Sequence, residues 1–280
     1  MALMFGVAGS LWCIGCKTES PKVAPPTPAV APKAEIPKPP LALDLASLKK
    51  QAENVALSPS PAEMQLTLQK AGIQEPLGKI VRKKVIATNV PSRDQVAVRT
   101  GVVIADLVLT VKVAPKEDTL LRLARIKEGM GLLGAGTDID AMLVELSARI
   151  SNDALKGDDL VRELDELSGA VIPEVEFQAG PRVVPLIQAG SWLEGANLVS
   201  TAMRNAARYD AADQLLRQPD VVRYFLNYVK SEGQASAPDE VIKKLEQTLQ
   251  ALQTVTEKPK LEQADVITVQ TSTDSVLALL

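Results

Sequence analysis

Four side chains far from the N-terminus draw attention because they are the wrong chemical type for their surroundings. Asp106 interrupts Gly101 to Val113, a run otherwise made almost entirely of Val, Ile, Leu and Ala. A carboxylate there must be paired, since an isolated buried charge is expensive. Arg99 stands seven residues earlier, two helical turns away on nearly the same face. Glu194 sits between Leu193 and Gly195, and Ser191, Glu194 and Asn197 recur at a spacing of three, which places them on one helical face as a polar seam. Trp192 is the only tryptophan outside the first sixteen residues. These groups admit three uses. Asp106 and Arg99 can form a structural ion pair inside a helical bundle. Arg99, Asp106, Trp192 and Glu194 can line a small polar ligand pocket. Asp106 and Glu194 can serve as acid and base of a hydrolase, which requires opposed environments in an open cleft.

The rest of the composition narrows the chemistry. There is no histidine, which excludes Ser-His-Asp and Cys-His catalysis, histidine-dependent metal sites and imidazole pH switching. The only cysteines, Cys13 and Cys16, lie near the N-terminus, so the remainder has no thiol or disulfide chemistry. Net charge is −3 with acidic and basic residues intermixed, so there is no basic footprint for nucleic acid or anionic lipid. No cofactor and no metal is expected. Gly129-Met130-Gly131-Leu132-Leu133-Gly134 satisfies the dinucleotide pattern G-x-G-x-x-G, but that mechanism needs a strand immediately before it. Leu120, Leu123 and Ile126 instead continue into Met130 and Leu133 at helical spacing, so these glycines read as close packing and a helix end.

The elements that must position these residues read as helices. Ser60-Pro61-Ala62-Glu63 is a capping signature that opens a helix to about Ala71, before Gly72. Ser92 and Gln95 repeat that logic after Pro91 and lead without a break into Gly101 to Val113, which favours a central helix over a buried strand. Thr137 with Asp140 marks another start, with Ile139, Met142, Leu143, Leu146 and Ile150 on one face. Pro181 to Arg208 reads as a long helix in which Gly190 and Gly195 must serve close approach, because each costs helix stability. Further helices are expected after Pro219, with Val222, Phe225 and Tyr228, and after Pro238, with Ile242, Leu245, Leu249 and Leu252. The chain's last segment is read as a helix, with a strand as the alternative, and Lys79 to Val90 as a short strand or irregular passage. The expected fold is all-α, an irregular multi-helix bundle over residues 58–280.

The N-terminal region carries a different message. Met1 to Cys16 is a short uncharged apolar run ending in Ile14-Gly15-Cys16, and it resembles a bacterial lipoprotein signal peptide. At about 14 residues the run is shorter than the roughly 20 a membrane-spanning helix needs. By that resemblance residues 1–15 are removed and Cys16 carries the lipid. From Lys17 to Pro40 eight prolines alternate with Ala, Lys and Val, an extended tether within residues 16–57 with a reach on the order of 70 Å. Lys17 after the lipidated cysteine, in place of Asp, points by resemblance to lipoprotein sorting to the outer membrane, with the domain facing the periplasm.

Two internal motifs carry a second resemblance. Arg-x-Gly-x-x-x-Ala-Asp at Arg99, Gly101, Ala105 and Asp106, followed by Ala-Gly-x-Trp-Leu-Glu-Gly at Ala189 to Gly195, is similar to a group of helical bacterial lipoproteins of uncharacterised activity. The similarity spans about Ala97 to Arg208 and implies an all-α envelope domain. The functional expectation is a non-enzymatic, membrane-tethered domain that binds an envelope protein partner or organises the envelope, with small-ligand binding at Arg99, Asp106, Trp192 and Glu194 as the alternative.

Overall fold

The structure is a computed structural model that describes residues 60–180, 183–232, 239–278 and 280, all within one compact unit. Cys16, the expected signal segment and the expected proline-rich tether lie outside the described residues. Among those described there are α-helices, one short 3-10 turn and no strand, so the fold is all-α.

Helix α1 (Pro61–Lys70) begins with the reciprocal capping box its sequence announces, Ser60 accepting from the Glu63 amide and Glu63 accepting from the Ser60 amide. A 3-10 turn (Leu77–Lys79) follows, and the chain then runs irregularly, without a strand, to the next cap. There Ser92 accepts from the Gln95 amide and starts α2 (Arg93–Thr110), so the β-branched segment around Asp106 is helical. Helices α3 (Lys116–Leu133), α4 (Gly136–Ser151) and α5 (Gly157–Ala179) come next. Helix α3 ends on Gly134 in the left-handed conformation at φ 77°, the usual way to satisfy the last carbonyls. Thr137 is not a cap: α4 starts at Gly136, one residue before it, with Ala135 as N-cap and no side-chain cap bond. The chain continues through α6 (Val183–Ala206), the single turn α7 (Ala212–Leu215), α8 (Pro219–Glu232), α9 (Asp239–Thr256) and α10 (Gln263–Leu277). The closing segment is thus a helix, opened by the Glu262 and Asp265 capping pair.

Helices α2 and α6 form the centre. Helix α2 packs on α3, and α6 packs on α10, which in turn lies against α9. Two hydrophobic cores result. The first holds the inner faces of α2 to α5 and the start of α6, with Leu107, Leu123, Met130, Leu143 and Val184 among its residues. The second surrounds the rest of α6 with α1 and α7 to α10, and includes Met64, Leu193, Met203, Phe225, Leu249 and Val266. Helix α6 serves both, which explains why its sequence shows no clean amphipathic stripe: from Val183 to Met203 nearly every side chain is buried.

The two central helices meet at a pair of glycines. A Cβ on Gly101 would stand 1.9 Å from the carbonyl oxygen of Ile187, and one on Gly190 would stand 2.0 Å from that of Val98. Each glycine therefore lies against the other helix's backbone, and no side chain of any size fits between them. Arg93, in the first turn of α2, ties the bundle further by donating to the carbonyls of Leu133 (2.7 Å) and Ala179 (2.9 Å), where α3 and α5 end. A cation is favoured at the negative ends of two helix dipoles.

Candidate functional site

Just beyond that crossing, α2 and α6 each contribute one carboxyl to a closed interior. Asp106 is 2% exposed and Glu194 is 1% exposed. The two carboxyls lie close enough to act on each other's ionisation, and a hydrogen bond between them forms only if one keeps its proton. Burial, then the neighbouring charge of Glu194, push Asp106 well above the ordinary aspartate range. Glu194 is raised too, chiefly by burial, but the Arg82 guanidinium and the bond from Asp106 act to keep it ionised. Ionisation is thus disfavoured at Asp106, while Glu194 is the carboxyl that faces a bonded cation. Arg82 closes the charge balance with Nη2 at 2.6 Å from Glu194 Oε2.

Arg122 completes the group from α3. It is 3% exposed, donates to the carbonyls of Asp118 (3.2 Å) and Arg82 (3.4 Å), and its positive charge acts on Asp106. A buried guanidinium bonded to carbonyl oxygens also fixes the path of the irregular segment that delivers Arg82.

The expected partnership of Arg99 with Asp106 is not formed. Arg99 donates from Nη1 to the carbonyl of Ala87 at 2.8 Å, and the cations that act on Asp106 are Arg82 and Arg122. The reason is directional. Two turns separate Arg99 from Asp106 by about 10 Å of rise, and helical side chains lean towards the N-terminus, so Arg99 points away from a residue later in its own helix.

The face of α6 divides likewise. Asn197 leaves Glu194 to bond across to α10, donating to Asp274 Oδ1 at 2.7 Å and Thr273 Oγ1 at 3.0 Å. Ser191 turns to the first core. Trp192, two residues before Glu194 and so on the opposite side of the helix, packs in the second core with its ring centroid 6.3 Å from that of Phe225. The structure thus brings Asp106 and Glu194 together, adds Arg82 and Arg122, and sends Arg99 and Trp192 elsewhere. Among the described residues no group of His, Cys, Asp or Glu is placed to hold a metal ion.

A pocket does exist beside the glycine crossing, of different character. Its volume is about 130 Å³, and it lies between α2 and α6 with its floor on α3, α4 and α5. Leu123, Met130, Leu143 and Val175 are among the buried residues that line it. Its half-buried rim is Ile104 and Val108 on α2 with Gln188 and Ser191 on α6, the last two being its only polar side chains. The glycines of the apparent dinucleotide motif play no part in it: Gly129 sits inside α3 against the hydroxyl of Thr100, and no strand precedes it.

No family model, curated protein or solved structure matches this chain.

Proposed function

We propose that the protein is a lipid-anchored lipoprotein of the bacterial envelope whose helical domain acts without catalysis, binding a protein partner or organising the envelope from the end of an extended tether. The anchoring half rests on Ile14-Gly15-Cys16 and the proline-rich stretch behind it. Among the described residues no helix is long and apolar enough to cross a membrane, and in this reading attachment comes from the acyl-glyceryl group on Cys16.

The observation that carries the non-catalytic half is the burial of the acid pair. With histidine absent, Asp106 and Glu194 are a candidate acid and base, two buried carboxyls that act on each other's ionisation. A general acid or base must come within hydrogen-bond reach of a substrate. At 2% and 1% exposure, with Glu194 bonded to Arg82, they serve in this reading to hold α2, α6 and the segment before α2 together.

The intact mass of the protein extracted from native membranes, beside a Cys16→Ser variant, tests the anchor. Loss of residues 1–15 with a gained acyl-glyceryl mass, both absent from the variant, is the expected result. A full-length, unmodified chain in the soluble fraction overturns it. Crosslinking in intact cells tests the partner half: a discrete adduct to an envelope protein, weakened in the Cys16→Ser variant, is expected.

A further inference from the structure

We propose that the apolar pocket between α2 and α6 is a binding site for the end of a single saturated hydrocarbon chain, received to a depth of about six carbons, with the ligand's polar end at Gln188 and Ser191. This goes beyond the anchoring and partner-binding reading and does not depend on it.

The size sets the depth. The pocket holds about 130 Å³, close to an apolar protein cavity of about 150 Å³ that stays dry and takes up benzene. The lining sets the chemistry. It is built from Ile, Leu, Val and Met with no aromatic ring, so nothing offers a stacking surface to a flat ligand. No charged side chain lines it either, so a carboxylate or phosphate inside would be unpaired and costly. A chain that is apolar at one end and polar at the other meets both conditions by entering end-on. Met130 on the floor, unbranched and adaptable, tolerates variation in the shape of the chain end.

The rim sets the orientation. Gln188 and Ser191 are three apart on α6 and half-buried, so an amide and a hydroxyl stand together where the pocket meets water. They can bond to a neutral ester or acid, or leave an ionised headgroup in solvent. The rigid part is the crossing: Gly101 and Gly190 hold α2 and α6 in backbone contact, and helices that cross must diverge on either side of the contact. The pocket adjoins that contact, since Ile187, whose carbonyl faces Gly101, is one of its walls.

The same alkyl chemistry could come from a free fatty acid or lysolipid, or from an acyl chain on Cys16 of the protein itself. The test is titration of the full-length Cys16→Ser protein with octanoate, followed by methyl-resolved NMR and by the thermal midpoint. Saturable shifts confined to first-core methyls such as Leu123, Leu143 and Val184, with Leu249 and Val269 in the second core unmoved, and a rise in midpoint are expected. Val108→Trp, at the half-buried rim, should weaken binding at least about tenfold while leaving the circular dichroism spectrum unchanged; Ile104→Trp is the substitute should that variant not fold. Absence of saturable shifts, shifts spread over both cores, or unchanged affinity in the rim variants overturns the proposal. The same titration on membrane-extracted protein distinguishes the sources: retained binding identifies free chains as the ligand, and a pocket already filled identifies the protein's own acyl group.

Discussion

Asp106 and Glu194 are coupled carboxyls served by two cations, Arg82 bonded to Glu194 and Arg122 acting on Asp106. Because the folded state raises Asp106 above its ordinary value of 3.8, the native protein binds a proton that the unfolded chain has already released. Stability from this group is therefore full below the ordinary aspartate range and declines as pH rises from there towards the raised value. Asp106→Asn, which keeps the donor and removes the titration, should flatten that decline; urea midpoints of the two proteins between about pH 4 and about pH 8 provide the comparison. Arg82→Ala strands Glu194 without its guanidinium and should cost roughly 2–4 kcal/mol by urea denaturation, less than a fully enclosed pair because Arg82 is partly open to water. Adding Glu194→Gln to that variant should recover part of the loss. The two carboxyls are legible in the sequence because a charge in an apolar run demands a partner. Arg82 is not, because it reaches Glu194 across 112 residues and carries no local pattern. Arg99 shares nearly the same helical face with Asp106, but its side chain leans away from it.

At the scale of single helices, small residues and caps do the deciding. Gly131 lies inside α3 with nothing within 4 Å of where a Cβ would be, so Gly131→Ala should stabilise the protein by roughly 0.5–1 kcal/mol. Gly190→Ala carries the same helix-propensity benefit, yet its Cβ would meet the Val98 carbonyl at 2.0 Å. It should destabilise by roughly 1–3 kcal/mol or more, because backbone cannot give way as a flexible side chain can. Thermal melts of the two variants together check that opposition. The serine caps at Ser60 and Ser92, and the apolar face of α4, follow from residues within one or two turns of each other and were readable for that reason. Helix α5 was not: Pro173 falls within its span, and proline ordinarily argues against a helix interior. Its buried positions Leu160, Leu164, Val171 and Val175 acquire meaning only once α4 and α6 stand beside it.

The whole described unit depends on α6, since both hydrophobic cores close on it. The two cores should therefore unfold together. In a Trp12→Phe background, urea transitions followed by Trp192 fluorescence and by far-UV circular dichroism should coincide. Leu143→Ala, in the first core, should lower the Trp192 midpoint by an amount equivalent to roughly 2–5 kcal/mol although Trp192 packs in the second. Separate transitions would mean that α6 does not couple the halves. The sequence by itself determined the all-α class, the capped starts of α1 and α2, and the burial of Asp106 and Glu194, since periodicity, capping and burial demand are read over a few neighbouring residues. Only the tertiary structure decided that Arg82 and not Arg99 serves Glu194, that Trp192 and Glu194 part company, and that the pocket is apolar and lies beside the glycine crossing. Those outcomes turn on which distant segments come into contact and on the direction each side chain leaves its helix, and neither is encoded in local spacing.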